Sequence, residues 1–221
     1  MNVDNFDLKG AYEELSGFAH TISAIDPLHL DSFDSSSTVF VMVDIVNGFI
    51  NEGAMASPDI GKIIPHVCEL LKKCTAKGIP SVAFADCHSE NCEEFHSFPV
   101  HCLKGTSESE IVDEIKDIGG YTLICKNSTN GFHEKRFREY LAENSTADTF
   151  IVTGDCTDIC VMQFCLALKT YFTVNNRQCR IVVPLNCVDT YNGQGHNSTF
   201  ANLAAIRLMT VNGIEFVSEI I

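Results

Sequence analysis

From Thr38 onward the chain alternates short apolar runs with longer stretches of helical periodicity. The runs are TVFVMVD (38–44), SVAFAD (81–86), TLICK (122–126), TFIVTG (149–154), RIVVPL (180–185) and IEFVSEI (214–220). They are rich in β-branched residues and apolar at successive as well as alternate positions, which marks strands covered on both faces. Helices are predicted between them at about 58–77, 107–117, 134–143, 158–172 and 196–211. Strand followed by helix in that rhythm predicts an α/β fold, a three-layer α/β/α sandwich around a six-stranded, mainly parallel sheet. Residues 1–37 lack such runs and close on the polar stretch 34–37, so they read as an N-terminal extension, a short helix plus a linker. Residues 38–221 read as one domain behind it.

Composition narrows the class of protein. With 45% hydrophobic and 20% charged residues, the chain has the makings of a packed core rather than of disorder. Fifteen basic side chains against 29 acidic ones leave a net charge of −14, which repels phosphate backbones and anionic lipid surfaces. Nucleic acid and membrane are therefore not expected as partners. The segment MNVDNFDLKGAYEELSGF is acidic and has no basic region followed by an apolar one, so a cytoplasmic location is expected. In such a reducing compartment the 11 cysteines read as mostly small buried apolar residues, not as disulfide partners.

Parallel sheets bind ligands outside the carboxyl ends of their strands, so the polar residues found there carry the most information. The first run ends in Asp44, the second in Asp86 and the third in Lys126. The fourth ends in Gly154, followed by Asp155, Cys156, Thr157, Asp158, Ile159 and Cys160. An aspartate at the end of one strand usually just begins a turn; four consecutive strands delivering ionisable or nucleophilic groups to one rim suggest a site. A thiol is a few per cent ionised at neutral pH, so a nucleophilic cysteine needs positive potential or a base. With Thr157 or Asp158 as helix N-cap, Cys160 would lie in the first turn, near unpaired amides able to receive an oxyanion. Asp44 would take the thiol proton, and Lys126 would orient the pair. The competing reading makes Cys160 a small core residue on the apolar helix VMQFCLALKTYF, as Cys165 is expected to be.

Four segments together, VDIVNGF, FADCHSENCEEFHSFPVHCLKGT, ICKNSTNGF and VTGDCTDICV, resemble the isochorismatase-like cysteine hydrolases, and within them the nicotinamidase/pyrazinamidase branch. The resemblance spans about residues 38–221 and implies an isochorismatase-like fold with a triad of Asp44, Lys126 and Cys160. It also implies a non-proline cis peptide at Asp155–Cys156, with the amides of Cys156 and Cys160 as the oxyanion hole. A thioester on Cys160, hydrolysis of nicotinamide to nicotinate and ammonia, and assembly into a homo-oligomer are further implications.

Asp86 and His88 stand two residues apart, on one side of an extended segment, as shared ligands must. Imidazole and carboxylate suit Zn²⁺, Fe²⁺ or Mn²⁺. The branch carries an acid or histidine seven residues before the His of a P-x-H turn, which selects Glu94 and His101 here and implies a metal that anchors the substrate ring. Alternative ligands are His96, Glu93 and the thiols of Cys87, Cys92 and Cys102, which would instead build a cysteine-rich zinc site. Phe49 and Phe98 are candidates to flank a flat substrate; core packing is the competing reading. Many relatives carry glutamine where this chain has Val46, which leaves other small amides or carbamoyl compounds open as substrates. A silent metal-binding member of the family is a second alternative, and a metal-free isochorismatase-type hydrolase a third.

Overall fold

A computed structural model of the chain describes residues 5–221, so residues 1–4 of the predicted extension lie outside it. Six strands, β1 (Thr38–Val43), β2 (Ser81–Asp86), β3 (Tyr121–Lys126), β4 (Thr149–Gly154), β5 (Arg180–Pro184) and β6 (Glu215–Val217), form one sheet in the order β3-β2-β1-β4-β5-β6, every pairing parallel. The order reverses between β1 and β4, which places the expected ligand crevice at the carboxyl ends of those two strands.

Alternation along β1 sorts the core. Phe40 and Met42 pack to one side with Val67, Leu70 and Leu71 of α3 (Ile64–Lys77) and Ile115 of α4 (Asp113–Ile118). Val39, Val41 and Val43 face the other way. They meet Phe137 of α5 (Lys135–Glu143), Phe164 and Leu168 of α6 (Met162–Val174), and Ile206 of α7 (Ser198–Val211). Central strands buried on both faces explain why β1 and β2 read as continuous apolar runs. β3 departs from that reading. As the edge strand it leaves Leu123 51% exposed.

Two expected elements are shorter than their sequence suggests. The helix expected over 107–117 is a 3-10 turn, Ser107–Ser109, followed only later by α4. Between them Ile111 bridges Val46, with Asn47 N–H donating to Glu110 and Val112 N–H to Ile45, a long-range pairing that overrides the local helical pattern. The run 214–220 yields only three residues of β6, since its continuation pairs with the N-terminal segment: Leu28 bridges Ile220, and Ser218 donates to the Asp26 carbonyl.

The stretch expected to be a linker is thus hydrogen-bonded into the fold, and its Leu30 and Phe33 are buried. The helix before it, α1 (Leu8–Ser23), rests on α7 through Phe18 and Ile22, with Arg207 over the Phe18 ring and 3.3 Å from Glu14. Among the described residues no helix is long and apolar enough to cross a membrane.

Candidate active site

Strand register assembles the site. Asp86 stands beside Lys126 in the β2–β3 pairing, and Val43, next to Asp44, stands beside Gly154 in the β1–β4 pairing. Lys126 is fully buried, and its Nζ lies 2.6 Å from Asp86 Oδ1, 2.9 Å from Asp44 Oδ2, 3.0 Å from the Ser128 carbonyl and 3.9 Å from Cys160 Sγ. Its three protons go to Asp86, the Ser128 carbonyl and the Cys160 sulfur, while the contact with Asp44 is an ion pair that leaves both oxygens of that carboxylate without a hydrogen-bond donor. Asp44 itself adopts φ 56°, a left-handed conformation uncommon for a residue with a Cβ and typical of strained functional positions.

Burial sets the proton affinities. It pushes Asp44 up to about 7 against the pull of Lys126, which leaves a carboxylate poised as a base near neutral pH. The same burial works on Asp86, but Lys126 and the neighbouring histidines outweigh it and hold that group ionised. For Lys126, desolvation opposes the ammonium, yet the two aspartates hold its affinity well above the ordinary value. Cys160 is driven well above the usual thiol range by burial, with Lys126 opposing and the aspartates adding to the rise. The sulfur therefore rests as a thiol. Of the two means of activation that the sequence offered, the burial of the thiol favours a base over a standing thiolate.

Cys160 sits in a widened π turn, Thr157–Val161, that leads into α6. The Ile159 and Val161 amides both donate to the Cys156 carbonyl at 3.1 Å, the second spanning five residues. Neither Thr157 nor Asp158 supplies the expected side-chain N-cap. Cys156 occupies that position, and the Asp158 carboxylate turns away to His196 Nε2 at 2.8 Å. The peptide Asp155–Cys156 is cis, and the Cys156 amide, outside the turn, has no acceptor among the described residues. Gly154 precedes it at φ 119°, and a Cβ there would collide with the Val43 carbonyl oxygen, so only glycine lets β4 pass β1 at the rim.

Asp155 gave no signal of its own in the sequence. Its carboxyl is fully buried and neither oxygen finds a donor, so burial, then the charge of Asp44, raises its proton affinity well above normal. Its ordinary value is 3.8, and the folded chain keeps a proton that the unfolded chain releases, so stability falls as pH rises above about 4. Asparagine has no such loss. Asp155→Asn is therefore expected to melt higher than the parent, by a margin that widens from about pH 5 to 8. A constant margin across that range would mean that Asp155 is ionised when folded.

Asp86, His88, Glu94 and His101 come together with one ligand atom of each within 4.8 Å of the others. His88 Nε2 is 3.2 Å from Asp86 Oδ2 and 3.8 Å from Glu94 Oε1, and His101 Nε2 is 3.4 Å and 3.9 Å from the same atoms. Ligands held about 2.0–2.2 Å from a tetrahedral ion stand roughly 3.3–3.6 Å apart, so the set nearly closes around one cation. The chemistry fits as well. His101 Nδ1 faces the Pro99 carbonyl at 2.7 Å and His88 Nδ1 the Cys92 sulfur at 3.3 Å, which frees both Nε2 atoms for a metal. His88 Nε2 is buried without a hydrogen-bond partner. The alternatives fall away: His96 and Glu93 are 82% and 97% exposed and pair with each other, and no cysteine belongs to the cluster.

Phe49 and Phe98 both line the adjoining cleft, with ring centroids 5.5 and 6.3 Å from His101. Met55, Thr129 and Ile159, which the sequence did not single out, complete its wall beside Cys156 and Cys160. The cleft is narrow, enclosing only about 20 Å³ of free space. Val46 is fully buried and faces the core rather than the cleft.

A family model described as the isochorismatase domain matches residues 38–213. Nicotinamidase 1 of Arabidopsis thaliana is 34% identical over 155 residues, 63% of this chain and 62% of that protein, so the match spans less than two thirds of its length. An N-carbamoylsarcosine amidase from Thermoplasma acidophilum superposes with TM-score 0.67 and 25% identity over 82% of this chain and 95% of that one. A pyrazinamidase of Pyrococcus horikoshii in complex with zinc superposes with TM-score 0.67 and 24% identity, covering 82% and 98%. At that identity the last likeness speaks for the fold.

Proposed function

The chain belongs to the isochorismatase family, and from that premise we propose that it is a metal-dependent cysteine amidohydrolase that converts nicotinamide and water to nicotinate and ammonia. The observation that carries this reading is the buried Lys126, 2.9 Å from Asp44 and 3.9 Å from Cys160, a cysteine that lines the same cleft as three of the four metal-type ligands, Asp86, Glu94 and His101.

In this reading Asp44 takes the Cys160 proton as sulfur attacks the carboxamide carbon, and Lys126 keeps both groups aligned. The amides of Cys156 and Cys160 receive the charge that develops on oxygen. Asp44 then returns the proton to the departing ammonia, and a water deprotonated by the same carboxylate opens the thioester. Asp86, His88, Glu94 and His101 would hold a zinc, iron or manganese ion, which supplies a Lewis-acid centre for fixing a heterocyclic nitrogen. Phe49 and Phe98 flank the ring. A second reading keeps the chemistry and exchanges the substrate for another small amide or carbamoyl compound, favoured by the likeness to the carbamoyl amidase.

Metal-loaded protein is expected to release ammonia from nicotinamide, to lose that activity on exhaustive chelation, and to regain it with one equivalent of divalent ion. Activity on carbamoyl compounds without activity on nicotinamide would transfer the conclusion to the second reading. Full activity in a verified metal-free sample would remove the metal from the mechanism.

A further inference from the structure

The segment after β5, residues 189–197, closes over the turn that carries Cys160. Thr157 N–H donates to the Asp189 carbonyl at 3.0 Å, and Asp158 Oδ2 meets His196 Nε2 at 2.8 Å. His196 is itself fixed at three points, two on its ring and one on its backbone. Its Nδ1 faces the Tyr191 carbonyl at 2.9 Å, the Tyr191 ring stacks on it at 4.0 Å and 13°, and its backbone exchanges two hydrogen bonds with Gly193.

This contact holds a turn whose internal support comes from backbone hydrogen bonds alone, among them the two to the Cys156 carbonyl. No side chain caps the π turn, and the carboxylate that sequence reasoning offered for that role, Asp158, is committed to His196. The side chains of His196 and Asp158 are only 20% and 17% exposed, so water competes weakly for the pair. Cys160 lies two residues beyond Asp158 in the same turn, and a misplacement of about 1 Å at a reacting group can cost 10²-fold in rate.

We propose that His196 is a positioning residue: through Asp158 it locks the turn that presents the Cys160 sulfur and amide to the substrate. The proposal deepens the amidohydrolase reading, and in its kinetic part rests on it. A readout that needs no substrate keeps the two separable.

The test compares His196→Leu, which cannot bond to Asp158, with His196→Gln, whose amide can donate to that carboxylate from nearly the same place. For metal-loaded full-length protein, kcat and KM on nicotinamide are measured together with the rate of Cys160 alkylation by iodoacetamide, followed by peptide mass spectrometry. His196→Leu is expected to lower kcat by about 10²-fold with KM changed less than about threefold, and His196→Gln to recover most of the loss. Alkylation of Cys160 should change in the leucine variant and return toward the parent rate in the glutamine variant. Equal losses in both variants that simply follow melting temperature would overturn the proposal, as would a leucine variant with parental kcat and alkylation. If the parent does not hydrolyse nicotinamide, the amidohydrolase reading fails on that substrate, and alkylation alone still decides whether His196 positions the turn.

Discussion

Cys160→Ala is expected to abolish ammonia release, with a loss of about 10⁴-fold or more, because Cys160 is the cleft thiol that Lys126 reaches, at 3.9 Å. The substitution removes a single buried sulfur, so the fold should survive with a cost of about 1–2 kcal/mol. Cys160→Ser sharpens the test. The hydroxyl fits the same space, but burial already holds even the thiol far from ionisation, and an alcohol is harder still to deprotonate. Serine is therefore expected to be nearly as inactive as alanine while leaving the melting temperature close to that of the parent. If either variant kept more than about a tenth of the activity, nucleophilic catalysis by Cys160 would be wrong, and Cys156, the other thiol in the cleft, would have to be tested next.

Lys126→Met should damage both fold and function. The lysine is the cation shared by Asp44 and Asp86, all three at most 1% exposed, and removing it leaves two carboxylates facing each other without water. Breaking a buried ion pair from one side costs about 3–5 kcal/mol, which for a chain of this size corresponds to roughly 6–20 °C in melting temperature. Activity should vanish as well, since Asp44 loses the partner that aligns it with the sulfur. The double variant Lys126→Met with Asp44→Asn distinguishes charge from packing. Neutralising one carboxylate should recover part of the stability, with a coupling of at least about 1 kcal/mol, and none of the activity. A double variant no more stable than the lysine variant would mean that lost packing, not unpaired charge, destabilises the chain.

Much of this was legible in the sequence, for reasons that also explain the remainder. Strands β1, β2 and β4 announced themselves because both of their faces are buried, and Asp44, Asp86 and Lys126 stood out because strand ends in a parallel sheet share one rim. The Asp-x-His spacing expressed a local geometry, and the family resemblance selected Glu94 and His101. What escaped detection depends on long-range placement. Ile111 became extended because Val46 pairs with it, and Leu28 is ordered by Ile220, relations that no local window contains. Met55, Thr129 and Ile159 reach the cleft only through the path of their loops. The Asp158 carboxylate read as a helix cap until His196, 38 residues away, proved to be its partner.

The strand order divides the chemistry between two parts of the chain. Asp44, the four metal-type ligands and Lys126 all belong to β1, β2, β3 and their loops, whereas Cys160 follows β4, and within the sheet the two halves join only along the β1–β4 seam. Neither half holds a complete set of reacting groups. The N-terminal segment crosses this division as a clasp: α1 lies on α7 and Leu28 pairs beyond β6, so the part that carries the base also grips the far side of the part that carries the nucleophile. Loosening that clasp would let the seam breathe and pull base from nucleophile without altering a single residue in the cleft.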